Sequence, residues 1–372
     1  MTTSSPVRVG WIHRAKVGDS ISSWLHSHER ARKAVEAEFG DAVHTEVADG
    51  AGRAEGFTAA ATDFAERGFD LVFACDTRGG LEVLPVAERF PGTRFMHNQG
   101  VDLAANFGTF REARDEHAYV SGLLCGAMTK TGVLGAVGGT PGPLDLQIVN
   151  AWAIGVRTAN PDAIIHDRWV GSYFAEDQAE REAAVVTELI DLGVDTFGGT
   201  LTEMPTITKM ASERGLWSMG RDLRSVHQSA VLDVAYIDWA PFYIREVRAV
   251  QDGTWRARHA YLRSRDGVVR NTEPAAVVPP EAAERARQAS RALQAGELDI
   301  WRGPIRDHRG NLVVPAGTSI GDLYDGPEPE PDLTRAEAYL TSRQFAWFHE
   351  AITGSVDPLQ AWLEQDAESR AL

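Results

Sequence analysis

Short apolar runs alternate with longer amphipathic stretches over the first 110 residues of the chain. The apolar runs are rich in β-branched and aromatic residues, which is typical of strands in a sheet that is covered on both faces. The stretches between the first four runs have the three-to-four-residue periodicity of helices. The predicted strands are 7–12, 43–47, 71–74, 94–97 and 107–110, and the predicted helices are 20–38, 54–67 and 80–89. This alternation predicts a parallel sheet built from βαβ units.

The same alternation starts again near residue 115. It predicts helices at 115–129, 144–158, 176–192 and 204–213, and strands at 133–137, 164–170, 194–197 and 216–219. A strand at 231–236, a helix at 239–252 and a hairpin over 255–269, with Asp266 and Gly267 as its turn, are expected to complete the two repeats. The predicted fold class is therefore α/β, with two lobes that are each a doubly wound, mostly parallel sheet.

Three regions are expected from these elements. The N-terminal lobe takes residues 1–112 with about 240–275, and the C-terminal lobe takes 113–239 with about 276–326. Residues 327–372 form a stiff acidic linker followed by a helical extension. Because the extension carries several large apolar side chains, we expect it to dock on the body or on a second copy of the chain, which would give a homodimer.

The composition narrows the classes of function. The chain has 53 acidic and 37 basic residues, for a net charge of −16, which argues against a nucleic-acid-binding protein. No apolar run is long enough for a membrane span, and the N-terminus shows no signal peptide, so the expected location is the cytoplasm. Cys75 and Cys125 are expected to be buried free thiols.

Candidate chemistry lies in the loops that follow the predicted strands, because ligands of open parallel sheets bind beyond the carboxyl ends of the strands. These loops contain Asp19, the segments 76–80, 97–100 and 138–142, Asp222, and the pair Asp238 and Trp239. No Walker loop, GxGxxG fingerprint, GxSxG elbow or histidine and cysteine cluster is present. We therefore predict no metal, no cofactor and no covalent serine or cysteine chemistry.

The ordered motifs of the chain resemble a known family. The run from Ala118 to Gly139 contains Met128-Thr-Lys-Thr-Gly132 and is similar to a stretch of the basic membrane protein (BMP) family, the PnrA-like substrate-binding proteins of ABC transporters. Further matches in the same order include Gly18-Asp19, 160–162, 169–174, 193–195, 215–222, 252–255, 303–307 and 314–317. The resemblance covers about residues 6–325.

The resemblance implies a two-lobed type I periplasmic-binding-protein fold with three crossovers between the lobes. It also implies that a purine nucleoside or nucleobase is held in the cleft between them. Carried over by position, the ligand contacts implied by the resemblance are Asp19, Asp76, Thr77, His97, Asn98, Glu116, Tyr173, Asp222 and Trp239.

An enzyme on the same fold is the alternative. Carboxylates are enriched at the expected cleft positions, and such groups could serve a nucleoside hydrolase or a biosynthetic lyase as acid, base or charge stabiliser. The candidate catalytic residues under this alternative are Glu116, Asp222, Asp238 and Asp115. The same acidic excess favours a polyhydroxylated or cationic ligand over a phosphorylated one.

Overall fold

A computed structural model describes the protein at residues 5–18, 23–52, 54–76, 79–100, 102–140, 143–172, 175–200, 204–221, 223–306 and 310–319. The chain divides into two compact units. Within the described residues, unit 1 consists of 5–112 and 237–268, and unit 2 of 113–236 and 269–319. The predicted linker and helical extension at 327–372 lie outside the described residues.

Unit 1 is built on a sheet of six described strands in the order β11-β5-β4-β3-β1-β2, with every neighbouring pair parallel. The strands are β1 (Val7–Ile12), β2 (Val43–Ala48), β3 (Leu71–Ala74), β4 (Arg94–Asn98), β5 (Phe107–Glu112) and β11 (His259–Leu262). The helices are α1 (Ser23–Phe39), α2 (Ala54–Glu66), α3 (Leu84–Arg89) and α8 (Ala240–Gln251).

Unit 2 repeats this arrangement with a six-stranded sheet of described strands in the order β12-β10-β9-β8-β6-β7. The strands are β6 (Val133–Gly138), β7 (Ile164–Trp169), β8 (Thr196–Gly198), β9 (Trp217–Gly220), β10 (Val231–Ile237) and β12 (Val269–Asn271). The helices are α4 (Arg114–Met128), α5 (Pro143–Ala159), α6 (Gln178–Asp191), α7 (Pro205–Arg214) and α9 (Pro280–Ala295). A short antiparallel pair, β13 (Ile305–Arg306) and β14 (Leu312–Val314), follows. The predicted α/β class with two mostly parallel sheets is confirmed.

The predicted hairpin over 255–269 is wrong. Strand β11 pairs in parallel with β5 at the edge of the first sheet, whereas β12 lies beside β10 in the second sheet. Residues Ser264–Asp266 form a short 3-10 turn in which the Asp266 carboxylate accepts a hydrogen bond from the Arg263 backbone N–H at 2.8 Å. Gly267 ends this turn with a φ of 75°. The Asp-Gly pair therefore stops a helical turn instead of joining two antiparallel strands.

Helices α4 and α5 cross at unusually short range because glycines face each other. A Cβ atom on Gly122 would lie 2.2 Å from the carbonyl oxygen of Trp152, and one on Gly155 would lie 2.2 Å from that of Tyr119. Both distances are far below a van der Waals contact, so only glycine fits at these two positions. The Trp152 side chain is fully buried next to this crossing, in the main apolar cluster of unit 2.

Two of the motifs behind the family resemblance hold each other in place. Asp195 accepts hydrogen bonds from Thr129 Oγ1 at 2.6 Å and from the backbone N–H groups of Lys130 at 2.6 Å and Thr131 at 2.9 Å. These contacts fix the turn from α4 into β6 at the amino end of the sheet. Because ligands of such sheets bind at the carboxyl ends, this part of the resemblance reports the fold and not the ligand.

Candidate functional site

The strand order of unit 1 marks one position for ligand binding. The chain passes from β1 outward to β2 and then returns to β3 on the other side of β1, so β1 and β3 flank the topological switch point. In doubly wound sheets of this order, ligands bind beyond the carboxyl ends of the strands at this point. The residues that follow the two strands are His13 and Cys75. In unit 2 the equivalent strands are β6 and β8, which are followed by Gly139 and Gly199.

Aromatic rings cover one face of the unit 1 sheet at α1 and α8. Trp239, a predicted ligand contact, is fully buried, and its ring is stacked on His28 with 4.8 Å between centroids and 9° between planes. Its indole N–H donates to Ser27 Oγ at 3.1 Å. Trp24 meets Trp239 edge to face at 5.4 Å and is only half-buried. Trp239 is thus held inside the unit by α1, and Trp24 is the more accessible of the two indoles.

His28 and Trp24 were not identified from the sequence. His28 Nδ1 lies 2.6 Å from the Tyr243 hydroxyl, which also lies 3.5 Å from Cys75 Sγ. Burial raises the pKa of both Tyr243 and Cys75, so both groups are uncharged at neutral pH. The available signal was the helical spacing of Trp24, Ser27 and His28 on one face of α1. These contacts position the aromatic layer, which consists of Trp24, His28, Trp239 and Tyr243. They provide no reactive thiolate.

Asp76 has a structural task at the end of β3. Its Oδ1 accepts the Gly79 backbone N–H at 2.7 Å, which starts the 3-10 turn Gly79–Val83. Its Oδ2 lies 3.8 Å from Arg14 Nη1, and the Asp76 side chain is only 18% exposed. A ligand role for Asp76 would therefore have to share the carboxylate with the turn and with Arg14.

His97 and Asn98, at the end of β4, differ in what surrounds them. Two glycines pack on the His97 ring, since a Cβ atom on Gly80 would lie 1.8 Å from Cδ2 and one on Gly100 would lie 2.3 Å from Nδ1. Asn98 is fully buried, and its Nδ2 donates to the Phe110 carbonyl at 3.3 Å. Its Oδ1 accepts no hydrogen bond from the residues that the structure describes. Asn98 thus presents a buried acceptor at the carboxyl end of β4.

The backbone beside Asn98 is strained. Gln99 is the only non-glycine residue of the described chain with a positive φ, 59°. Its N–H donates to the Phe110 carbonyl at 2.7 Å, and its side-chain Nε2 donates to Glu112 Oε1 at 3.4 Å. A non-glycine residue in this region costs about 1–3 kcal/mol and is enriched at binding sites. The strain directs the chain away from β4 immediately after Asn98.

His13 is a second candidate that no sequence pattern indicates. It is 1% exposed, and burial lowers its pKa to about 4. Its Nε2 has no hydrogen-bond partner among the described residues. A neutral imidazole therefore lies at the end of β1, at the switch point of the sheet.

Buried polar side chains also gather at the start of α4 in unit 2. Glu116 and Asp115 are 5% and 3% exposed, and Asp115 Oδ2 accepts the Trp301 indole N–H at 2.7 Å. Arg221, directly after β9, donates to His117 Nε2 at 2.5 Å, and burial together with the nearby arginines lowers the pKa of His117. The helix N-terminus favours the two carboxylates. Asp115 is thus committed to an internal contact.

The predicted residues that remain are Asp238 and four positions outside the described residues. Asp238 is half-buried, and its Oδ1 accepts the Ala240 backbone N–H at 3.2 Å at the start of α8. Four predicted residues lie outside the described residues: Asp19, Thr77, Tyr173 and Asp222.

Within the described part of the chain, no group of histidine, cysteine or acidic residues could hold a metal ion. No described helix is long and apolar enough to cross a membrane.

Comparison with known proteins gives a consistent result. The family model for PnrA-like ABC transporter substrate-binding proteins matches residues 7–223. A purine-binding protein of Brucella abortus is 28% identical over 85% of this chain and 89% of its own length. A Haloferax volcanii protein described as an ABC transporter glucose-binding protein is 27% identical over 80% of this chain and 74% of its own length. A solved structure of an ABC transporter solute-binding protein from Conexibacter woesei superposes with a TM-score of 0.65 at 21% identity, covering 78% of this chain and 97% of that one.

Proposed function

Because this chain belongs to the PnrA-like family of ABC transporter substrate-binding proteins, we propose that it binds a purine nucleoside or nucleobase. The Brucella relative is a purine-binding protein, and its match extends over most of both chains. This supports a purine as the ligand class. Both relatives support the broader statement that the ligand is a small molecule, since the Haloferax relative is described as binding glucose. The predicted homodimer and cytoplasmic location stay predictions.

Asn98 is the observation that carries the proposal. Its buried Oδ1 accepts no hydrogen bond from a described residue, and a buried acceptor left in this state costs about 1–3 kcal/mol. A purine presents amino and ring N–H donors along its edges, and asparagine is a common partner of adenine in recognition. A bound purine would therefore satisfy a buried acceptor at the end of β4 that has no partner among the described residues.

Catalysis is the weaker of the two readings. Asp115 is bonded to Trp301 and Asp238 to the first turn of α8, so two of the four candidate catalytic carboxylates already serve the fold. The relatives found by comparison are binding proteins and give no support to a hydrolase or a lyase. Glu116 and Asp222 stay candidates for contacts with ligand hydroxyl groups.

Calorimetric titration of the purified protein with adenosine, adenine, guanosine, inosine and D-glucose tests the proposal. We expect the purines to bind and Asn98→Ala to lose about 5- to 150-fold in affinity, the equivalent of about 1–3 kcal/mol. Asn106→Ala is the matched control, because Asn106 Nδ2 bonds the carbonyls of Ala87, Phe90 and Thr93 at the opposite end of the sheet. That variant should lose stability and keep its affinity.

Two results would contradict the proposal. Binding of glucose without binding of any purine would assign the chain to sugar recognition. If chromatography over several hours shows that free base is released from a nucleoside, the hydrolase function is favoured instead. Loss of this activity in Glu116→Gln would then identify Glu116 as the catalytic acid. Purine binding without turnover supports the binding function.

A further inference from the structure

His13 is fixed at the switch point of unit 1 by its backbone. Its N–H donates to the Ala48 carbonyl at 2.9 Å, and its own carbonyl accepts the Ala51 N–H at 3.0 Å. It follows β1 directly and is two residues beyond Trp11, so both side chains lie on the face of the sheet that α1 and α8 cover. This agrees with the 6.0 Å between the ring centroids of His13 and His28.

The imidazole of His13 is neutral although charged groups surround it. Glu29 of α1 and Asp49 after β2 raise its pKa, and Arg32 of α1 lowers it. Burial has the largest effect and brings the pKa to about 4. A neutral imidazole has one donor and one acceptor nitrogen, and here Nε2 is buried with no partner among the described residues. Such an atom requires an explanation in a native fold.

We propose that His13 is a ligand contact whose Nε2 forms a hydrogen bond with an uncharged nucleoside. This inference rests on the proposed function and makes it more specific. His13 directly follows β1 and Asn98 is the last residue of β4, and only β3 lies between those strands. Neighbouring strands are about 4.8 Å apart, so the two backbone positions are separated by about 10 Å. A two-ring base joined to a pentose is long enough to reach both positions.

Adenosine titration of matched variants tests His13. His13→Phe keeps a ring and removes both nitrogens, so we expect adenosine affinity to fall by about tenfold or more. His13→Gln keeps a donor and an acceptor and should recover part of that loss. His44→Phe is the control, because His44 is exposed and paired with Glu46 at 2.7 Å on β2, and it should bind adenosine as the unaltered protein does.

A spectroscopic measurement on the unaltered protein separates a contact from a structural role. In protein with ¹⁵N-labelled histidine, the His13 Nε2 resonance, assigned by its loss in His13→Gln, should shift on saturation with adenosine. Adenosine should also bind at least about tenfold more tightly than adenine, since the pentose extends the base from one position toward the other.

The outcomes distinguish this inference from the proposed function. If adenosine binds but the Nε2 resonance does not move, the inference fails and the purine function stands. Equal affinities for adenosine and adenine would overturn the assignment to a nucleoside. If no purine binds and D-glucose moves the Nε2 resonance, the purine function fails while His13 remains a ligand contact.

Discussion

Replacing Asp233 with asparagine should remove a pH dependence from the stability of unit 2. Asp233 lies on β10 and is 2% exposed, and its Oδ2 accepts hydrogen bonds from Ser121 Oγ and Asn271 Nδ2, both at 2.7 Å. Its Oδ1 has no partner among the described residues. Burial outweighs these two donors and raises its pKa from 3.8 to about 6. Asparagine offers the same acceptor oxygen without a charge.

The sign and size of the effect follow from proton linkage. Between pH 3.8 and about 6 the folded chain keeps the Asp233 proton and the unfolded chain loses it, so the free energy of unfolding falls as the pH rises. At about 1.4 kcal/mol per pH unit, the loss is about 3 kcal/mol and is complete above pH 6. The stability of Asp233→Asn relative to the unaltered protein should therefore increase by about 2 kcal/mol from pH 4 to pH 7, because at pH 4 the unfolded chain has already lost part of this proton.

The comparison uses the difference between the two proteins, because His13, which acts in the opposite direction in unit 1, contributes equally to both. With its pKa lowered from 6.5 to about 4, His13 adds stability as the pH rises over nearly the same window. Urea unfolding monitored by hydrogen exchange of β10 peptides follows the strand that carries Asp233. The exposed Asp191, replaced with asparagine, is the control. A stability difference for Asp233→Asn that is the same at pH 4 and pH 7 would refute the reasoning.

Two further substitutions test contacts that hold unit 2 together. Gly122→Ala would place a Cβ atom 2.2 Å from the Trp152 carbonyl oxygen and should cost about 1–3 kcal/mol in urea unfolding, whereas Gly92→Ala, with no atom within 4 Å of its Cβ, should cost less than about 0.5 kcal/mol. Equal stabilities of these two variants would show that the α4 and α5 crossing can relax. Asp195→Ala removes the acceptor for Thr129, Lys130 and Thr131 and should cost about 1–3 kcal/mol, with faster hydrogen exchange at 130–131; unchanged exchange there would contradict the role of the carboxylate.

The fold was accessible from the sequence because its strands are buried on both faces. Residues such as Leu71–Ala74 form an apolar run with turn residues on either side, and this local signal is sufficient to predict a strand of a parallel sheet. The hairpin prediction failed because an Asp-Gly turn is also a local signal, while the choice of sheet for β11 and β12 depends on contacts far along the chain. Strand β11 pairs with β5, about 150 residues earlier.

The candidate site was predicted only in part, because local sequence signals do not show contacts between residues far apart in the chain. His97 and Asn98 could be proposed because polar residues stand at the end of a predicted strand, but the surroundings of their hydrogen-bonding atoms depend on Gly80, Gly100 and Phe110. His28 becomes part of the aromatic layer through Trp239 and Tyr243, and Tyr243 lies 215 residues later in the chain. The state of His13 depends on its burial, which the spacing of neighbouring residues does not reveal.

The strand order of unit 1 has a consequence for synthesis on the ribosome. The first 112 residues contain five of the six described strands, and the sixth, β11, is added only with residues 259–262. Until that segment emerges, the outer edge of β5 has no strand to pair with, and unpaired edges of this kind promote association between nascent chains. Completion of the first sheet must therefore wait until most of unit 2 has been translated. A fragment ending at Glu112 should be less soluble than one that also carries 237–268.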